Sequence, residues 1–213
     1  MAKMIPKLSL ALLSWKRIDG IKYIVNWAIA HELIDDVVVW NNNTDIDLQE
    51  YLPYNNKVNI INSDNNIMCY GRWLAVDKCK HDHVYVQDDD FIPGNLNRLY
   101  QLYNGSRCDI VSYCAPTHEL DTPDRKFVGF GSVINKACVS VTIDRYINAF
   151  GEDSLFYREC DLMITNMNTY EKHVTNLDPI GNLPHDTNAM WRQEYHDKYH
   201  NDMVKRCKNL KDA

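Results

Sequence analysis

The sequence predicts an α/β domain in which a mainly parallel sheet is flanked by helices. Short apolar runs alternate with stretches of helical periodicity through the first two-thirds of the chain, the pattern of strand–helix–strand units. Each early apolar run closes in a polar cluster: Ser14, Asn41 to Asn43, Asn62 to Asn66, and Asp88 to Asp90. The 213 residues, 45% hydrophobic and 24% charged, suffice for one buried core and lie outside the composition of disordered chains.

Leu8 to Leu13 reads as a buried strand. Lys16 and Arg17 follow this run, whereas a secretory leader carries its charge ahead of the apolar stretch. Ile21, Ile24, Val25, Ala28 and Ile29 then mark one face of a helix with Asp19 at its N-cap. Val37 to Trp40 and Val58 to Ile61 are strands, a helix covers Tyr70 to Lys80, and Val84 to Val86 is a strand running into the acidic triplet. Further on, Asp109 to Tyr113 reads as a strand and Thr117 to Lys126 as a loop. Phe127 to Ile134 reads as a strand interrupted by Gly129 and Gly131, Glu159 to Asn168 as a helix, and Asn188 to Leu210 as a terminal helix.

Composition excludes several classes of function. A net charge of -6, from 23 basic and 29 acidic side chains, argues against a duplex nucleic-acid partner. No run approaches the ~18–20 apolar residues that span a bilayer, so no membrane insertion is expected. The seven cysteines are scattered without a Cys-x-x-Cys pair, which removes zinc-ribbon and thioredoxin readings. Free thiols in a reducing, cytoplasmic setting are expected.

Ligands of open α/β sheets bind beyond the carboxyl ends of the strands, so four polar strand ends on one edge predict a nucleotide-type crevice. Asp88, Asp89 and Asp90 dominate it. Adjacent carboxylates repel one another unless a cation neutralises them, and an oxygen-only donor set suits Mn2+ or Mg2+. Strand alternation would send Asp88 and Asp90 to one side, as metal ligands, and Asp89 to the other.

These blocks form an ordered set: Leu12-Leu13-Ser14-Trp15-Lys16-Arg17, Val37-Val38-Val39-Trp40-Asn41-Asn42, Asn62-Ser63-Asp64-Asn65-Asn66, Tyr85-Val86-Gln87-Asp88-Asp89-Asp90, Gly129-Phe130-Gly131-Ser132 and Glu159-Cys160-Asp161-Leu162-Met163. The set resembles the GT-A (Rossmann-like) glycosyltransferases, and within them the exostosin-type C-terminal transferase domain. The short form without an anchor also looks like the transferase domain of the large glycosylation proteins of chlorella viruses, which implies host cytoplasm and a longer multidomain chain.

The resemblance implies a single domain over residues 1–213, with a nucleotide-binding half at 1–105 and an acceptor-side half at 106–213. It implies a UDP-sugar donor bound with Mn2+ or Mg2+, a glycan or glycoprotein hydroxyl as acceptor, and retention of configuration. Ser14, Trp15 and Arg17 lie where the family holds the nucleoside. Asn41, Asn62, Asn66 and Arg72 are further donor contacts, with Arg72 a fixed cation for the diphosphate. Asp90 and Asp88 would hold the metal, and His185 can complete its shell. Asp88 and Asp89 also count as donor contacts.

Asp161 and Asp89 are the catalytic candidates, acting as a base toward the acceptor or as a stabilising carboxylate. The family order is Cys-Glu-Asp where this chain has Glu159-Cys160-Asp161, which leaves Glu159 without an assignment; Glu152 and Asp153 are a fallback pair. Arg192 is a weaker diphosphate candidate, and Trp191, Tyr195 and Tyr199 read as packing. Two rival readings remain. A nucleotide-sugar hydrolase or nucleotidyltransferase is disfavoured because Ser14 to Gly20 contains a single glycine. A non-catalytic sugar- or metal-binding module would bind without turnover.

Overall fold

The computed structural model describes residues 7–177 and 194–212. In chain order the elements are β1 (Leu8–Ser14), α1 (Ile18–Ala30), β2 (Ile34–Asn41), a short 3-10 turn (Leu48–Glu50), β3 (Val58–Asn62), α2 (Tyr70–Lys78), β4 (His83–Gln87), α3 (Leu96–Gly105) and β5 (Ile110–Cys114). Then follow α4 (Pro116–Asp121), β6 (Ser132–Asn135), α5 (Lys136–Phe150), α6 (Ser154–Met167), β7 (Tyr170–Val174) and α7 (His196–Asp212).

The strands form one seven-stranded sheet in the order β3-β2-β1-β4-β6-β5-β7. Four of its pairings are parallel, and β6 runs antiparallel to both neighbours. The sheet separates two apolar layers. Leu8, Leu10 and Leu12 pack with α1 and α3, while Ala11, Val38, Val84 and Val86 pack with α2, α5, α6 and α7.

Register delivers the expected edge. Ser14 lies beside Asn41, Asn41 beside Asn62, and Leu12 beside Gln87, so the carboxyl ends of β1 to β4 are neighbours. No helix among the described residues is long and apolar enough to cross a membrane.

The structure departs from the sequence reading in several places. Residues 116–121 form a helix rather than a loop, started by Pro116, whose fixed φ suits the first turn. The strand expected over Phe127 to Ile134 begins only at Ser132, because Gly131 sits at φ +108, outside strand geometry. Helix α5 starts from Asn135, whose side chain accepts from the Ala137 amide. Asp19 lies inside the first turn of α1 rather than at its cap, where its charge still complements the helix dipole.

Candidate active site

β4 ends at Gln87, so the acidic triplet occupies a turn rather than continuing the strand. The alternation expected for Asp88 and Asp90 therefore does not govern it, and two arginines divide the carboxylates instead. Arg17 Nη1 lies 2.8 Å from Asp89 Oδ1 and 3.0 Å from Asp90 Oδ2. Arg72 takes Asp88 with Nη2, and its Nη1 lies 2.9 Å from Asp161 Oδ2. Trp73 Nε1 donates to Asp161 Oδ1 at 2.8 Å.

Close backbone approach fixes the triplet. A Cβ on Gly20 would lie 1.9 Å from the Asp89 carbonyl oxygen, and one on Gly129 would lie 2.1 Å from Asp88 Oδ2. The Asp88 amide also donates to the Gly129 carbonyl. Gly20 thus lets the first turn of α1 press onto the turn, and Gly129 makes room for Asp88. Both lie outside the residues that the sequence reading singled out as donor or metal contacts.

Burial pushes the Asp89 carboxyl up to about 6, against the pull of Arg17. It also raises Asp90, with the Asp88 charge adding to the shift. Asp161 is raised by burial despite Arg72. Asp90 Oδ1 is buried and has no hydrogen-bond partner among the described residues. An unpartnered acidic oxygen is a single donor of the kind that suits a hard cation. Among the described residues no three His, Cys, Asp or Glu side chains converge on one metal position. Any shell built on Asp90 would therefore draw on ligand oxygens as well.

The remaining predicted contacts sort by geometry. Ser14 is buried at the end of β1, with its hydroxyl unpartnered among the described residues. Trp15 is half-buried, lies outside both core clusters, and carries the Lys16 ammonium 4.3 Å from its ring centre. Asn41 donates from Nδ2 to the Asn43 and Ile46 carbonyls and to Asn62 Oδ1, each at 3.0 Å. Asn62 in turn donates to Asp47 at 2.7 Å, so both amides shape the 43–47 loop. Asn66 is exposed and closes a turn onto the Met68 amide.

Arg72 is buried rather than displayed to solvent. Asp153 caps α6 and pairs with Arg206, and Glu152 accepts from Tyr157, so the fallback pair holds structure. His185, Trp191 and Arg192 lie outside the described residues.

Glu159 is buried where α6 departs from helical geometry (φ -116, ψ 18). Its oxygens face the Nδ1 atoms of His196 at 3.9 Å and His200 at 3.8 Å, beyond hydrogen-bond range. Arg125 Nη2 donates to His196 Nε2 at 2.8 Å and approaches His200 Nδ1 at 3.3 Å. Burial and then Arg125 lower both histidines, His200 to about 4. Burial and then the Asp161 charge raise Glu159 from 4.5 to about 7.

The folded state thus holds the Glu159 proton more tightly than the unfolded state does. The stability this gives is complete below pH 4.5 and is lost as pH rises through about 7. Glu159→Gln is expected to be more stable than the parent at pH 8 by roughly 2–3 kcal/mol, with the gap shrinking toward pH 5. Thermal melts at both pH values check this, and an equal gap at both would contradict it.

No protein-family model matches the sequence, nor does any curated sequence. Solved structures do match in fold. One is glucosyl-3-phosphoglycerate synthase from Mycobacterium tuberculosis, in complex with Mn2+, UDP and glucosyl-3-phosphoglycerate. It superposes with a TM-score of 0.55 at 10% identity, over 95% of this chain and 80% of that one. TarS from S. aureus matches at a TM-score of 0.52 and 12% identity, over 96% and 71% of the two chains. The glycosyltransferase GlyE of Streptococcus pneumoniae TIGR4 matches at 0.51 and 17%, over 79% and 45%. At these identities the likeness concerns architecture: the chain has the α/β fold of the GT-A glycosyltransferases.

Proposed function

We propose that this chain is a glycosyltransferase that moves a sugar from a UDP-sugar to a hydroxyl group, using a divalent ion held at Asp90. The observation that carries this reading is the buried, unpartnered Asp90 Oδ1, set among carboxyls raised by burial at an edge where four polar strand ends meet. The fold shared with an enzyme crystallised with Mn2+ and UDP-glucose supports the choice of metal and donor.

Asp90 would hold Mn2+ or Mg2+, with Asp88 close by and His185 as a further candidate ligand. When bound, the ion supplies Lewis-acid stabilisation of the negative charge that gathers on the leaving diphosphate. Ser14 and Trp15 offer a hydroxyl and an aromatic face to the nucleoside. Arg17 neutralises Asp89 and Asp90 and would be a further contact to the donor. Asn41 and Asn62 build the 43–47 loop beyond β2 and β3, and Asn66 would be a further donor contact.

Arg72 joins Asp88 to Asp161 through its two terminal nitrogens and would serve the donor as a fixed cation from that position. Asp161 is the carboxylate on the acceptor side, with side-chain exposure of 26%. It can take a proton from the acceptor hydroxyl or stabilise positive charge at the sugar. The resemblance to exostosin-type domains supports the second role, with retention of configuration and a glycan or glycoprotein acceptor. The test is release of UDP from a panel of UDP-sugars. Release with Mn2+ and none with EDTA is expected. No release from any donor, with or without acceptor sugars, would refute the reading.

A further inference from the structure

We infer that Trp73 is a positioning residue for the reacting carboxylate: its indole N–H, together with Arg72, fixes the plane of Asp161. The inference rests on the functional reading above, in which Asp161 faces the acceptor. A free carboxylate rotates about χ2 in a broad, two-fold well. Here the two oxygens are held separately. Trp73 Nε1 donates to Oδ1 at 2.8 Å and Arg72 Nη1 to Oδ2 at 2.9 Å. Both donors come from consecutive residues of α2.

That helix is seated firmly. A Cβ on Gly71 would come within 2.6 Å of the Trp40 ring and 2.8 Å of Leu13, so α2 lies tight against β1 and β2. Trp73 itself is 1% exposed, and a buried indole N–H needs an acceptor. A carboxylate has about four lone-pair positions. With one lone pair on each oxygen given to Arg72 and Trp73, each oxygen keeps one more for a substrate proton, and the side chain is 26% exposed.

Trp73→Phe keeps an aromatic ring in the core and removes the donor. Expected are an unchanged affinity for UDP with Mn2+, an unchanged KM for the donor, and a kcat lowered roughly ten- to hundredfold. The acid limb of the pH profile should move upward, because the charged form of Asp161 loses a hydrogen bond. A kcat and acid limb equal to those of the parent would overturn the inference, as would a loss confined to KM. A second readout needs neither turnover nor this variant. The Trp73 indole N–H resonance of the parent should shift as Asp161 titrates and stop shifting in Asp161→Asn. A resonance indifferent to pH would overturn the inference. A parent without Mn2+-dependent UDP binding would overturn the functional reading, and the inference with it.

Discussion

Asp90→Ala is expected to abolish turnover while leaving the fold intact. The side chain is only partly buried, and one of its oxygens bonds to nothing among the described residues. The other shares Arg17 with Asp89, so the arginine keeps a carboxylate partner when Asp90 is removed. Burial and the Asp88 charge both disfavour the ionised Asp90, so its loss relieves repulsion. The variant should therefore melt at or slightly above the parent temperature. Its UDP release should fall by about three orders of magnitude or more, as when a group stabilising transition-state charge is deleted. A thermal melt and a UDP-release assay on the same preparation check both halves. Turnover within twofold of the parent would remove Asp90 from the mechanism.

Arg72→Met should damage both stability and activity. The guanidinium is buried between Asp88 and Asp161, two carboxylates brought together from distant parts of the chain. Removing it leaves them facing each other without a counter-charge. Breaking a buried ion pair in this way costs roughly 3–5 kcal/mol. Asp161, already raised by burial, would respond by taking up a proton, so the loss should ease as pH falls. Arg72→Lys should rescue poorly, since a single ammonium lacks the planar fork that spans both acids. Adding Asp161→Asn to Arg72→Met should restore part of the stability, because the site then carries one charge fewer. Denaturant unfolding of the four proteins tests this. A loss below about 1 kcal/mol for Arg72→Met would contradict a buried, bridging arginine.

The first four strands were legible because their signals are local. Apolar runs ending in Ser14, Asn41, Asn62 and Gln87 became parallel strands whose ends are neighbours, as the alternation with helices requires. The 3.6-residue stripe of α1 likewise needs only its own sequence. Several other features depend on non-local contacts. Arg72 looks like a surface arginine at a helix start until Asp161, from the other half of the chain, closes on it. Trp73 and its N–H carry no signal apart from that same partner.

Helix α5 contains Val139, Val141, Thr142 and Ile143, β-branched residues that weaken a helical reading, and packing overrides them. β7 is an edge strand, half-buried from Tyr170 to His173 and ending in the exposed Val174, and lacks an apolar run to announce it. The triplet was visible as chemistry but not as geometry, because nothing local says that β4 stops at Gln87.

The most direct test is a calorimetric titration of UDP into the parent protein and into Asp90→Ala, each with Mn2+ and with EDTA. UDP should bind the parent only when Mn2+ is present and should fail to bind Asp90→Ala in either buffer. Equal UDP affinity in EDTA and in Mn2+, or full affinity in Asp90→Ala, would contradict a metal-held diphosphate at this edge of the sheet.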